Sequence, residues 1–222
     1  MTMQETGTGT ARVVRGLEHG SASVRLQAAL AAGTTPDPGL VGTLVARCGV
    51  EPDFFVRDML TWAITRHEPA LTVPALVEEL GSARAQARSQ ALHTLSKVGD
   101  RRAWPAITGA LLTDADDDVA RSAWRAAVVL VPEEGRTELA GVLATQLGRG
   151  GRDTQLSLSR ALVTLGEDIL PVLSAAEHSS DPGVRQHAAA TRQLLLDPEA
   201  GSGYAVEEAK RVFALGPEGR EG

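Results

Sequence analysis

Between Arg84 and Thr113 the apolar positions of the chain mark out two short elements. Ala87, Ala91, Leu92, Thr94, Leu95 and Val98 recur at helical spacing, and Gly99-Asp100 then stops the run. A second apolar stretch follows from Arg102 to Leu112, with Pro105 in its first turn, where a missing N–H costs little. The pattern predicts two helices joined by a tight turn. Neither can bury its apolar face alone, and the same unit recurs along most of the chain.

An arginine position registers the repeats. The segments SASVR, DFFVR, RAQAR, DDVAR and DPGVR end at Arg25, Arg57, Arg88, Arg121 and Arg185, and DTQLS puts Ser157 in the same slot before Arg185. Successive register residues are 32, 31, 33, 36 and 28 positions apart. A period in this range is the signature of a solenoid. Three positions further on stand Ala28, Leu60, Ala91, Trp124, Arg160 and Ala188, where small residues recur because neighbouring helices approach closely. A shorter helix is predicted before each register helix, at Ala11–His19, Gly39–Arg47, Pro69–Leu80, Arg102–Leu112, Glu134–Leu147 and Glu167–Glu177. Asp53, Asp117, Asp153 and Asp181 lie four residues before the register position, where they can cap a helix or oppose its dipole.

This division leaves residues 1–9 as a polar, disordered tail and 10–196 as the repeat array. Residues 197–222 then supply a linker, an amphipathic capping helix at Tyr204–Leu215 and a frayed end. The longer spacing before Ser157, together with the missing arginine, marks a bend in the fifth repeat.

Composition narrows the function. Aromatic residues make up only 3% of the chain, so the core is built from Ala, Leu and Val, as suits closely packed helices. The net charge of −6 argues against binding nucleic acid through bulk charge, though it does not exclude a local basic stripe. Cys48 is the only cysteine, so no disulfide framework exists. The opening MTMQETGTGT is not a signal peptide, no apolar run is long enough to span a bilayer, and a cytoplasmic protein is the expectation.

The pattern D-x-x-V-R-x-x-A-x-x-A/T-L, a Gly-Asp turn and then A-x-P-A-I/L-x-x-L resembles HEAT repeats. The period of about 32 resembles the short repeats of the phycobilisome bilin-lyase type. The likeness is strongest over 84–131 and covers about six repeats. It implies an all-α, right-handed α-α superhelix. It also implies that the register arginines Arg57, Arg88, Arg121 and Arg185 form a structural ladder with the register aspartates of neighbouring repeats. The family hosts scaffolds, adaptors, lyase subunits and some DNA-alkylation glycosylases, so the resemblance does not select a function.

No motif supplies chemistry. Gly7-Thr8-Gly9 lacks the third glycine of a dinucleotide loop, and there is no P-loop, HExxH or GxSxG. The five histidines are scattered, so neither a metal nor a cofactor is expected. Asp114, Asp116 and Asp118 match the opening of an EF-hand loop, but Val119 replaces the required Gly, and the run reads as a helix-capping turn.

The inner helices of such a superhelix would line its concave face. The residues one and five positions after the register are Asp58 and Trp62, Ser89 and His93, and Ser122 and Ala126, with Arg125 beside them and Arg160 in the fifth repeat. Asp58, Trp62, Ser89, His93, Arg125 and Arg160 are therefore the candidate groove contacts, suited to a peptide or flexible ligand. Trp124 reads as a core residue, Trp62 equally as groove or core, His93 also as a half-buried imidazole, and Trp104 as packing on the preceding turn. The expected function is a non-catalytic scaffold or adaptor that binds a protein or peptide partner. One alternative is a DNA-binding or DNA-repair protein, since the resemblance includes glycosylases with a groove Asp among Trp residues, faintly echoed by Asp58, Trp62 and Trp124. The other is a small-molecule-binding protein that uses the aromatic groove.

Overall fold

A computed structural model describes residues 3–197, and within them all regular structure is helical, with no strand. The twelve α-helices are α1 (Met3–Leu17), α2 (Ala22–Thr34), α3 (Val41–Cys48), α4 (Phe54–Thr65), α5 (Pro69–Glu79), α6 (Ala85–Val98), α7 (Gly109–Leu112), α8 (Asp117–Leu130), α9 (Arg136–Ala144), α10 (Arg152–Thr164), α11 (Leu170–Ala176) and α12 (Pro182–Leu196). Short 3₁₀ turns precede α3, α7, α9 and α11. No helix among the described residues is long and apolar enough to cross a membrane. The capping helix expected at Tyr204–Leu215 lies outside the described residues.

The chain forms two compact units, divided between Leu139 and Ala140 within α9. In the first, the register helices α2, α4, α6 and α8 pack on one another in sequence order, and α1 packs on α2. The shorter elements α3 and α5 form a second row, continued by the 3₁₀ turn Arg101–Ala106, which packs on α5 and α8. Leu44, Leu60, Ile64, Leu92, Leu95, Trp124 and Leu130 fill the space between the rows. In the second unit α12 packs on α10 and α11 around Leu158, Leu162, Ile169, Leu173 and Ala188.

Local chemistry explains the boundaries. Asp53 accepts the Val56 N–H at the start of α4, and Asp181 accepts those of Gly183 and Val184 at the start of α12, as expected of N-caps. Gly99 ends α6 in the left-handed region at φ 69°, which a residue without a Cβ adopts freely.

Three local features differ from the sequence reading. α1 begins at Met3, so helix reaches into the stretch read as a tail; once a helix is nucleated, each added residue contributes a hydrogen bond. The predicted helix Arg102–Leu112 is split into the 3₁₀ turn and the four-residue α7. Pro105 is the fifth residue of that turn, and its ring conflicts with the carbonyl four residues back, which an α-helix would need there. The caps of the fourth and fifth register helices are also displaced. Asp116, not Asp117, caps α8 by accepting the Asp118 and Val119 N–H groups, and Gly151 precedes α10, leaving Asp153 inside it.

Candidate functional site

The register arginines first serve their own repeats. Arg25 donates through Nη1 to the carbonyls of His19 and Gly20, and Arg57 to those of Glu51 and Pro52. Arg185 does the same with Ser179 and Ser180, and Arg88 with Ser82. The acceptors stand six and five residues back, in the turn before each helix, where the guanidinium satisfies carbonyls that the turn leaves open. In all four repeats the register arginine is the fourth residue after the N-cap: Ser21, Asp53, Arg84 or Asp181.

Arg121 departs from this rule. Because Asp116 is the cap, Arg121 is the fifth residue after it and is turned about 100° further round the helix. It has no bond to the turn carbonyls. Among the described residues its contact is Asp118 at 3.8 Å, and its Nε is buried without a hydrogen-bond partner. The assignment of Arg121 to the structural ladder is therefore corrected: counted from the cap, Arg121 matches Asp58 and Ser89, and Arg125 matches Trp62 and His93.

The ladder itself also differs from the expected one. Where an arginine reaches across repeats, its acceptor is a loop carboxylate rather than a register aspartate: Glu51 for Arg25 and Asp114 for Arg88. Asp53 and Asp116 are occupied by their own helix N–H groups. In the fifth repeat, where Ser157 holds the slot, the Gln155 amide nitrogen faces the loop carbonyls of Gly148 and Gly150 at 3.4 and 3.2 Å.

In the first unit the corresponding positions of α4, α6 and α8 meet at an open cavity of about 270 Å³. Asp58, Ser89, His93 and Arg125 all line it, together with Arg57 and Arg121. Trp62 does not. Its ring lies against Gly33 of α2, so close that a Cβ at Gly33 would collide with the indole. Arg160 is exposed on α10 in the second unit. Trp124 is a core residue, fully buried, with Nε1 donating to the Leu112 carbonyl at 2.8 Å.

One hydrogen-bond chain orients the cavity floor. Ser89 Oγ donates to the Asp118 carbonyl at 3.2 Å and so receives from Ser122 Oγ at 3.0 Å; Ser122 in turn accepts from Arg125 Nη2 at 3.0 Å. The rest of the Arg125 fork remains available: among the described residues no carboxylate lies within 4.0 Å of it. Arg121 and Arg125 are four apart on α8, a like-charge spacing that costs a helix about 0.2–0.5 kcal/mol. Partial burial, and then Arg121, hold the Arg125 guanidinium below its ordinary value against the pull of Asp118. Burial also lowers His93, with Arg125 and Lys97 adding to it and Asp58 opposing, which favours the neutral imidazole.

Sequence reasoning missed Arg121 and Phe54. Phe54 lines the cavity and is 65% exposed, with Phe55 edge-on to it at 5.6 Å and the Arg57 guanidinium 5.9 Å above its ring. Adjacent residues on a helix point about 100° apart, so two neighbouring Phe at a helix start were a signal that at least one faces outward.

The cavity shows no constellation for metal chemistry, since among the described residues no three His, Cys, Asp or Glu side chains gather as a metal would need. Cys48 is buried, and burial pushes its thiol up to about 11, which leaves little thiolate at neutral pH. The chain matches no protein-family model and no curated protein.

Proposed function

We propose that the chain is a non-catalytic scaffold or adaptor: a right-handed superhelix of about six HEAT-like repeats that holds a protein or peptide partner in its groove. One observation carries this reading. Three successive register helices present their corresponding positions to a single open cavity, so one extended ligand can touch several repeats at once. The wall offers directional hydrogen-bonding groups and an exposed aromatic ring, a combination that suits peptide recognition.

The test is selection of a random peptide library on the immobilised full chain, with re-measurement on Asp58→Ala/His93→Ala. The expected result is a family of retained peptides whose binding weakens at least about ten-fold, or about 1.4 kcal/mol, in a variant with unchanged helical circular dichroism. Peptides that bind the variant equally well would move the partner off the cavity, and no retained peptide would count against peptide recognition.

A further inference from the structure

The fourth register helix differs from its neighbours in a single insertion-like step. The run Asp114-Ala115-Asp116-Asp117 places the N-cap five residues before Arg121 instead of four, and the arginine is rotated away from the turn it would otherwise brace. It comes to lie on the cavity wall, one helical turn before Arg125 and on the same face. The two guanidinium groups are only loosely paired in place. Among the described residues, Arg121 has only the 3.8 Å contact with Asp118 and a buried Nε without a partner. Among the described residues, the only hydrogen-bond partner of Arg125 is the Ser122 hydroxyl. Arginine side chains that are part-buried, adjacent and under-paired are a receptor for a planar or tetrahedral oxyanion, which takes both forks in charge-assisted hydrogen bonds.

We infer that Arg121 and Arg125 form an oxyanion-binding pocket, and that the partner in the groove presents a carboxylate or phosphate group on a peptide. This rests on the peptide-binding reading above and names the chemistry of its ligand. The other side chains on the wall select a peptide over a nucleic acid. Asp58 and Asp118 share the cavity with the arginines, so a continuous phosphate backbone would run past two carboxylates, whereas a single oxyanion needs only the Arg121 and Arg125 guanidinium groups. The net charge of −6 opposes a polyanion as well. Phe54 on the rim gives an adjacent carbon side chain a surface to cover. Ser122, already oriented through Ser89, holds the Arg125 fork in place before the ligand arrives.

The experiment uses four random peptide libraries that differ only in a fixed central residue (phosphoserine, glutamate, glutamine or lysine) and a duplex DNA. Each is passed over the full chain and over Arg121→Gln/Arg125→Gln. The expected result is retention of the phosphoserine or glutamate library at least about ten-fold over the glutamine library. That preference should be lost in the glutamine variant and diminished in Arg121→Lys/Arg125→Lys, which keeps charge but not the fork. The better of the two acidic libraries tells phosphate from carboxylate. Equal retention of the acidic and glutamine libraries, lost in Asp58→Ala/His93→Ala, overturns the oxyanion pocket while leaving peptide binding intact. Retention of no library overturns both readings. Duplex DNA held through the same arginines in preference to every peptide overturns the peptide assignment in favour of nucleic acid. Circular dichroism and melting of both arginine variants, expected to match wild type, show that any loss is of binding and not of fold.

Discussion

Two arginine clusters in the first unit differ in whether the chain completes them. At Glu51 the charges are closed. Its carboxylate, fully buried, accepts Arg25 Nε and Nη2 at 2.7 Å each, Arg47 Nε and Nη2 at 2.9 and 2.6 Å, and the Asp53 N–H at 3.0 Å. Burial alone would raise the Glu51 carboxyl, but Arg25, the Asp53 amide and Arg47 together outweigh it and hold it at about 2. At Arg121 and Arg125 the cations are left open, against a wall reachable from solvent. The same residue type braces the fold where its partners are built in, and is available to a ligand where they are not.

The sharpest way to break this comparison is to remove the carboxylate at the closed cluster. Glu51→Gln leaves two guanidinium groups, one of them buried, without their counter-charge, and should cost about 3–5 kcal/mol in urea denaturation. A cost below about 1 kcal/mol would mean that the closed cluster does not brace the fold.

Acid should act at the same place. The folded carboxyl titrates at about 2 and an unfolded glutamate near 4.3, so between those values the unfolded chain binds more protons. The stabilisation is complete above about pH 4.3 and is lost as pH falls toward 2, by on the order of 3 kcal/mol. Unfolding free energies measured from pH 6 to pH 2.5 should fall less steeply for Glu51→Gln than for wild type. Among the described residues no carboxylate lies within 4.0 Å of Arg125, so Arg125→Gln should follow the wild-type acid profile. Parallel curves for wild type and Glu51→Gln would refute the assignment.

How much of this contrast can be read from the sequence depends on how far apart the partners stand. The register arginines were legible as a recurring position because their spacing repeats, but the carbonyls they brace, five and six residues back, were not read as their partners. The caps Asp53 and Asp181 were legible for the same reason. Glu51 was not, because its meaning depends on Arg25, 26 residues earlier, and on burial that no local pattern shows. Arg121 was misassigned because the repeats were aligned on arginines, whereas the helix phase is set by the cap, and an acidic run offers several candidate caps. Trp62 and Trp124 could not be separated by residue type. One is held by a small residue, Gly33, on a neighbouring helix, and the other by a carbonyl at Leu112.

Between these extremes lies a change at the closed cluster that keeps its charge. Arg25→Lys preserves the cation but loses the fork that spans both Glu51 oxygens and the His19 and Gly20 carbonyls. A loss of about 1.5–3 kcal/mol is expected, less than for Glu51→Gln. If Lys is tolerated without cost, charge alone holds the cluster and its geometry is incidental.

His187 carries the comparison into the second unit, where a polar group is closed without charge. Nδ1 accepts the Gly148 N–H at 3.0 Å, and Nε2 lies 2.9 Å from the Gln155 carbonyl, so the ring is the neutral Nε2–H tautomer. Burial lowers its pKa, with the Gln155 carbonyl opposing. Between that lowered value and the unfolded value near 6.5 the unfolded chain binds the extra proton, so stability is complete above about pH 6.5 and declines below it. Wild type should melt at a lower temperature at pH 5.5 than at pH 7.5, and His187→Gln should show a smaller difference. An equal difference in the two proteins would show that His187 is not the group responsible.

The smallest stability effect is expected at the open cluster, and there smallness is the result that matters. A bracing arginine loses stability when it is replaced. Arg121 and Arg125 instead share a helix face at a repulsive spacing, with only the 3.8 Å Arg121–Asp118 pair among the described residues, so Arg121→Gln/Arg125→Gln should change unfolding free energy by no more than about 0.5 kcal/mol, and toward greater stability. The double variant in urea separates the two roles. A gain or no change, alongside loss of acidic-peptide binding, is the mark of cations kept for a ligand. A loss approaching that of Arg25→Lys would place Arg121 and Arg125 with the bracing arginines after all, and the contrast between the two clusters would be one of position and not of purpose.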